Sequence, residues 1–127
     1  MNKTYPIVTL CGSSKQKEDW AYWQAKFALD GNVVLAINIY MADSVPNYND
    51  DTELKRLLCE LHHQKIRMAD KVVFICKPDT TLGDHTSEEL EYARSLGKPC
   101  TFVYSVARYP HKLDKLEVLS ISKGEKK

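Results

Sequence analysis

Residues 71–93 read KVVFICKPDTTLGDHTSEELEYA, in which an apolar run is followed by a polar turn and then by a helical pattern. The run Lys71–Cys76 is short and rich in β-branched residues, which is typical of a strand buried on both faces. The segment Gly83–Ala93 places hydroxyls and carboxylates where this strand should lead into a helix. Open α/β sheets bind ligands at the carboxyl ends of their strands. The stretch therefore indicates a sheet strand and marks the region where chemistry is most expected.

Three further apolar runs of the same kind occur along the chain, at residues 5–11, 33–37 and 100–104. Amphipathic helical patterns separate them at residues 15–30 and 51–68. Parallel strands need crossover connections, and these are usually helices. The alternation therefore predicts an α/β fold with a parallel sheet of four to five strands and helices on both faces.

Two regions interrupt this alternation. Residues 38–51 are polar and predict a long loop that could cover a pocket. Residues 113–121 predict a last helix or an edge strand, and the charged residues 123–127 are expected to fray. We interpret the 127 residues as one domain, with a C-terminal extension from about residue 105.

Composition excludes some classes of partner. The 18 Lys and Arg nearly cancel the 17 Asp and Glu, for a net charge of +1, so no overall field attracts a nucleic acid polymer or a membrane. The chain contains no run near the roughly 20 apolar residues of a membrane span and begins without a cleavable-signal pattern. We therefore expect a cytoplasmic protein.

The cysteines and tryptophans are expected to be structural. The four cysteines are far apart, which fits neither a zinc motif nor a disulfide framework, and we predict buried free thiols. They are Cys11, Cys59, Cys76 and Cys100. Trp20 and Trp23 have helical spacing and are predicted to lie in the core.

Thr86 and Glu89 allow a purely structural interpretation. A Thr followed three residues later by Glu is a capping box, in which both side chains satisfy backbone N–H groups at a helix start. Acidic residues such as Glu88 also suit the positive end of a helix dipole. Periodicity alone does not decide between this role and catalysis.

The turn Cys11-Gly12-Ser13-Ser14 also has two interpretations. A small residue at a strand end lets backbone N–H groups approach an anion, and the two hydroxyls can donate, so the turn could hold a phosphate. The same residues are ordinary in turns and helix caps. The turn matches neither the dinucleotide-binding fingerprint nor the P-loop pattern.

Taken together, these segments resemble the nucleoside 2-deoxyribosyltransferase superfamily, which includes the 2-deoxynucleoside 5-monophosphate N-glycosidases. The resemblance rests on Cys11–Ser13, Ala69–Val73 and Gly83–Lys98, and its most specific part is Glu89-Leu90-x-Tyr92-Ala93 followed by Gly97-Lys98-Pro99. It implies a flavodoxin-like, Rossmann-like three-layer fold, assembly as a homodimer or larger homo-oligomer, and cleavage of the N-glycosidic bond of a nucleoside or nucleotide.

The resemblance also implies roles for individual residues. Glu89 corresponds to the nucleophile, and Asp84 is a candidate for sugar contact or proton transfer. No metal or organic cofactor is expected. The candidate substrate-binding residues lie in the first turn, the loop after the second strand, the helix before the third strand, and the segment before Glu89. They are Cys11, Gly12, Ser13, Ser14, Tyr40, His62, Gly83, His85, Thr86 and Ser87.

Some of these residues have alternatives that the sequence leaves open. Some family members carry an acid where His62 stands, and His62 lies on the same helical side as apolar residues, which also suits a buried structural histidine. His62 and His63 are adjacent, so they point about 100° apart on a helix and do not form a metal pair. Tyr40 would recognise the base or belong to a solvated loop, and His85 would contact phosphate or be an ordinary polar residue at a helix start.

Three candidate functions follow from these interpretations of the sequence. The first is an N-glycosidase or deoxyribosyltransferase-like enzyme that uses Glu89. The second is a non-catalytic nucleotide-binding or sensing domain of the same fold. The third is a structural or partner-binding subunit in which Glu89 only caps a helix.

Overall fold

The structure is a computed structural model, and it describes residues 4–37 and 41–108. Four strands, four helices and two single 3₁₀ turns make up the described part of the chain. The strands are β1 Ile7–Cys11, β2 Val33–Leu35, β3 Lys71–Ile75 and β4 Cys100–Val103. The helices are α1 Lys17–Leu29, α2 Met41–Ser44, α3 Thr52–Met68 and α4 Asp84–Ser95. The 3₁₀ turns are Tyr48–Asp50 and Val106–Arg108.

The four strands form one sheet in the order β2-β1-β3-β4, and every neighbouring pair is parallel. The prediction of an α/β fold with a parallel sheet is thus confirmed. Strand β2 pairs with one edge of β1, whereas β3 pairs with the other edge of β1 and is followed on that side by β4. The carboxyl ends of β1 and β3 therefore flank the switch point at which such sheets bind ligands.

Side-chain alternation along β1 and β3 divides the core into two layers. On one face, Val8 and Leu10 of β1 and Val73 and Ile75 of β3 pack with aromatic residues of α1. On the other face, the alternate residues of the same strands pack with α3 and α4. These aromatic residues of α1 are Trp20, Trp23 and Phe27, all buried, as predicted for the two tryptophans. Both faces of the sheet are covered, which explains why the strand sequences are apolar throughout.

Helix α3 begins where the sequence predicts, because the Asp51 carboxylate accepts a hydrogen bond from the Leu54 N–H at 2.9 Å. The apolar side predicted for this helix is only partly buried. Ile66 is fully buried, whereas Leu57, Leu61 and Met68 lie on the surface. His62 occupies the buried position next to Leu61.

The predicted capping box of Thr86 and Glu89 is also wrong. Helix α4 begins at Asp84 with Gly83 as its N-cap, three residues earlier than the box requires. Thr86 is a buried residue of the first turn, and Glu89 lies in the second turn. Gly83 has extended backbone, and the acidic Asp84 directly follows it, so the helix dipole is already complemented before Thr86.

Several smaller predictions have mixed outcomes. No disulfide joins the cysteines in the described ranges, and Cys11 and Cys76 are buried, but Cys59 is exposed. The predicted loop over residues 38–51 contains α2 and one 3₁₀ turn. The extension beyond residue 108, with its predicted last element, lies outside the described residues. No helix among residues 4–37 and 41–108 is long and apolar enough to cross a membrane.

Candidate functional site

Three polar side chains meet at the carboxyl ends of β1 and β3. Cys11 is the last residue of β1, His62 lies on α3, and Glu89 lies on α4. The parallel pairing of β1 with β3 brings the end of β1 under the two helices that cover this face of the sheet. The cluster therefore lies at the switch point of the sheet.

The three side chains are in mutual contact. The Cys11 Sγ lies 3.2 Å from His62 Nε2, and the same nitrogen lies 3.7 Å from Glu89 Oε2. The Cys11 thiol also hydrogen-bonds to the Glu89 carboxyl. The side chain of His62 is 3% exposed and that of Glu89 is 18% exposed. Glu89 is therefore the member of the cluster that solvent or a ligand can reach.

Desolvation favours the uncharged form of each group in the cluster. Burial raises the pKa of the Glu89 carboxyl to about 7, and the Cys11 hydrogen bond opposes this only in part. Burial, helped by the charge of Lys65 and by His63, lowers the pKa of His62 to about 4. Burial and the neighbouring Glu89 carboxylate raise the pKa of the Cys11 thiol far above its usual range.

The raised pKa of Glu89 reverses one expectation. A helix N-terminus would stabilise the ionised carboxylate, but Glu89 lies in the second turn, where burial outweighs the helix dipole. His62 is neutral near pH 7, so its 3.7 Å contact with Glu89 is not an ion pair there. A strongly perturbed carboxyl at a sheet switch point is a candidate functional group on physical grounds.

His62 and His63 point in different directions, as their adjacency predicts. His62 enters the cluster, whereas the ring of His63 stacks on Tyr92 with centroids 4.5 Å apart. The Nδ1 atom of His62 is buried and has no hydrogen-bond partner within the part of the chain that the structure describes. An imidazole that is purely structural normally pairs both nitrogens.

The turn after β1 has mainly structural contacts. A Cβ at Gly12 would lie 3.2 Å from the Cβ of Ile75, so glycine here lets β1 and β3 approach. The Ser13 hydroxyl accepts a hydrogen bond from the Lys15 N–H, and the Ser13 carbonyl accepts one from the Trp20 indole. The Lys15 N–H, which could have bound a phosphate, is thus used within the turn, whereas the Ser13 hydroxyl accepts that bond and can still donate its own proton. Ser14 is exposed.

The residues before Glu89 are distributed around α4. His85 and Thr86 precede Glu89 by four and three residues and share its side of the helix, His85 exposed and Thr86 buried. Asp84 is exposed and lies about 140° around the helix from Glu89. Ser87 is exposed, and space beside Gly83 is open.

Most of the residues that carry the family resemblance have structural explanations. Tyr92 accepts a hydrogen bond from Arg67 at 2.8 Å, and Ala93 is fully buried. The Lys98 ammonium donates to two carbonyl groups at the end of α3, and the Asp70 carboxylate accepts from the Ile7 N–H. Within Gly83–Lys98, Glu89 is the residue whose pKa burial raises, and Cys11 is the residue of the first motif that burial affects in the same way.

Sequence reasoning selected Cys11, His62 and Glu89 for separate reasons and did not predict that they meet. In particular, the sequence places Cys11 in a turn that would bind through backbone groups, whereas in the structure its thiol is the group in the cluster. The position of a Cys at the last residue of a buried strand was the available signal. Tyr40 lies outside the described residues.

A scan against models of protein families and a search of curated proteins find no match to this chain.

Proposed function

We propose that this protein is an enzyme that cleaves the N-glycosidic bond of nucleosides or nucleoside 5-monophosphates, with Glu89 as nucleophile. The observation that carries the proposal is the placement of Glu89, a half-buried carboxyl held beside the end of β1 at the switch point of a parallel sheet. The residues around it in the Glu-Leu-x-Tyr-Ala motif serve packing and hydrogen bonding, which leaves the carboxyl itself for chemistry.

The proposed reaction has two steps. The ionised Glu89 carboxylate attacks the anomeric carbon, and the C–N bond breaks with its electron pair going to the base, which takes up a proton. The resulting glycosyl ester is then cleaved by water in a hydrolase or by a second base in a transferase, with overall retention. The hydrogen bond from Cys11 positions the carboxyl.

The substrate would lie over the carboxyl edge between β1 and β3, where Glu89 is partly exposed. Ser13 and Ser14 border this edge on the β1 side, and His85 shares the Glu89 side of α4. These groups are suited to the 5-hydroxyl or 5-phosphate of the sugar. Asp84 would act on a sugar hydroxyl only from the exposed first turn of α4.

Release of free base tests the proposal. The purified protein is incubated with deoxynucleoside monophosphates and nucleosides at pH 8, where most of the Glu89 carboxyl is ionised, and free base is separated and quantified. Glu89→Gln should lower the rate by at least about 1,000-fold, the scale seen when a nucleophile is removed. The matched control is Glu88→Gln, which changes the adjacent exposed carboxylate and should retain activity.

Failure of the wild-type protein to release base from any of these substrates would reject catalysis. Equal rates for the wild-type protein and Glu89→Gln would reject the assigned nucleophile. Melting temperatures of both variants show whether a lost activity reflects chemistry or folding.

A nucleotide-binding domain without catalysis is the second candidate. It is favoured by the burial of the Glu89 carboxyl beside Cys11 and His62, because burial raises its pKa to about 7 and leaves only part of the carboxyl ionised near pH 7. It predicts that nucleotides raise the melting temperature but emerge uncleaved, since a ligand of the native state stabilises it whatever its fate. Absence of any melting shift would exclude this candidate.

We further propose that the protein is cytoplasmic and forms a homodimer. The outer face of α3 exposes Leu57 and Leu61, and exposed apolar side chains on one helix face suit an interface between subunits. Light scattering after size-exclusion chromatography tests this directly. Leu57→Glu combined with Leu61→Glu should shift the protein to a monomer, whereas a wild-type monomer would reject the assembly.

A further inference from the structure

Cys11, His62 and Glu89 present one sulfur, one nitrogen and one oxygen to a common point. The three ligand atoms all lie within 4.8 Å of one another, and two of the separations are 3.2 Å and 3.7 Å. Around a tetrahedral zinc ion, ligand atoms bonded at typical lengths lie about 3.3–3.6 Å apart. Two separations are already close to these values, and the third, between Cys11 and Glu89, is within 4.8 Å, so side-chain shifts of roughly 1 Å or less would bring the three atoms to bonding distance of one ion.

We propose that Cys11, His62 and Glu89 form a site for Zn²⁺ that leaves a fourth coordination position open. Thiolate, imidazole and carboxylate are the ligand types that zinc takes, whereas Mg²⁺ and Ca²⁺ take oxygen ligands. Three protein ligands with an open position are characteristic of zinc sites that bind water or a substrate group. The exposed part of Glu89 shows the side from which an ion reaches the cluster.

Charge balance favours a dication in this location. When zinc binds, the protons of the Cys11 thiol and the Glu89 carboxyl leave to water, and neutral His62 contributes the lone pair of Nε2. The two anionic ligands then cancel the two charges of the ion, so the buried cluster gains no net charge.

The ligands are held by separate rigid elements. Cys11 belongs to a central strand, and His62 and Glu89 belong to two helices packed on the same face of the sheet. Ligands fixed in this way lose little conformational freedom when an ion binds. The site is therefore assembled by the fold and not by one flexible loop.

A second Cys–His pair on α3 provides a natural comparison. Cys59 Sγ lies 3.8 Å from His63 Nε2, but Cys59 is exposed and both residues come from one helix. In the described ranges, the group of three side chains that could hold a metal ion is Cys11, His62 and Glu89. The Cys59 and His63 pair has no third ligand of this kind there. Cys59 and His63 therefore supply matched control positions for Cys11 and His62.

The zinc site and the proposed glycosidase function share Glu89, but the inference does not depend on that function. A bound zinc ion would coordinate the Glu89 carboxylate through the lone pair that it needs to attack the anomeric carbon. Bound zinc should then inhibit base release, and removal of zinc by a chelator should restore it. Metal binding is measured without any substrate, so the two proposals fail independently.

Cobalt(II) is the probe for the ligand set, because it substitutes for zinc and is coloured. The purified, reduced protein is titrated with Co²⁺ alone. We expect visible bands of tetrahedral cobalt and a near-ultraviolet thiolate-to-cobalt band, both abolished by excess Zn²⁺. Cys11→Ser should lose the thiolate band, whereas Cys59→Ser should keep it.

His62→Gln and Glu89→Gln test the other two ligands. Each should weaken zinc affinity by more than about 100-fold, since loss of even an outer hydrogen-bond partner of a metal ligand costs about 10- to 100-fold. His63→Gln and Glu88→Gln should bind as the wild-type protein does. Circular dichroism melts identify any variant that fails to fold, and the remaining ligand variants then decide the outcome.

Two results would overturn the proposal. One is a folded wild-type protein that shows no thiolate-to-cobalt band. The other is a band that survives Cys11→Ser and disappears in Cys59→Ser, which would place the metal on the exposed pair instead.

Discussion

Asp19 is a buried carboxyl group and Glu89 is a half-buried one, each near the beginning of a helix, on opposite faces of the same sheet, and their surroundings differ. Asp19 accepts hydrogen bonds from the Gln16 amide at 2.6 Å, the Ser105 hydroxyl at 2.8 Å and the Val106 N–H at 2.5 Å. Glu89 receives one weak donor, the thiol of Cys11, and a neutral imidazole. Burial alone therefore does not identify a functional acid; the number and strength of its donors do.

The largest expected effect lies on the Asp19 side. Asp19→Asn replaces one carboxylate oxygen with an amide that faces donors, and it should lower the free energy of unfolding by about 3 kcal/mol. Urea denaturation measures the loss. The control is Asp43→Asn, which removes an exposed ion pair with Lys17 and should cost less than about 1 kcal/mol. Similar losses in the two variants would mean that Asp19 does not anchor the chain after β4.

Glu89→Gln should raise the free energy of unfolding, and the increase should be larger at higher pH. The folded pKa of about 7 exceeds the ordinary value of 4.5, so the folded state binds more protons between these values. The stability that Glu89 contributes is complete below pH 4.5 and is lost as pH rises through 7. As the pH is raised from 5 to 8, the free energy of unfolding of Glu89→Gln should therefore rise by about 2–3 kcal/mol relative to that of the wild-type protein.

Urea denaturation at both pH values, with a chelator present, measures this difference. His62 titrates in both proteins, so its contribution largely cancels. Glu88→Gln is the control and should track the wild-type protein at both pH values. A constant difference between Glu89→Gln and the wild-type protein would show that Glu89 is not desolvated.

A part of the fold follows from local sequence and a part does not. The four strands are apolar runs, and Asp51 and Thr52 are both suitable helix caps, so the strands and the start of α3 to within one residue can be predicted from neighbours in the chain. The start of α4 was misplaced because Gly83, Asp84 and Thr86 are all acceptable near a helix start. Only packing of Thr86 into the core decides among them.

The candidate site divides in the same way. Glu89 was predictable as a polar residue after a strand, but its altered pKa comes from burial beside Cys11, 78 positions earlier in the chain by the sequence numbers. The anchoring role of Asp19 was missed because its partners Ser105 and Val106 lie beyond β4. Local sequence patterns indicate which side chains could take part in a site, whereas the pairing of the strands determines which of them are in contact.

The two turns that lead into α1 and α4 extend the comparison on a smaller scale. Gly12→Ala places a methyl group 3.2 Å from the Cβ of Ile75 and should lower the free energy of unfolding by about 1–2 kcal/mol. Thermal and urea denaturation both measure this. An unchanged stability would show that β1 and β3 can separate locally without penalty.

Gly83→Ser should give the smallest effect, with the opposite sign. Gly83 is the N-cap of α4, its backbone is extended, and nothing lies within 4 Å of an added Cβ. A serine hydroxyl can accept from the first turn of the helix, so the free energy of unfolding should rise by about 0.5 kcal/mol. Destabilisation would indicate that α4 begins elsewhere in solution.

The central pairing of β1 with β3 also has a consequence for how the chain folds. The Ile7 N–H donates to the Asp70 carboxylate 63 residues later, and the strand between them, β2, lies at the outside of the pair. On a ribosome, β1 must wait until α3 and β3 have emerged before its inner edge is covered. Non-local pairing of this kind slows folding. The Cys11, His62 and Glu89 cluster can exist only after that step, so its spectroscopic or metal-binding signal would report completed folding and not an early compact intermediate.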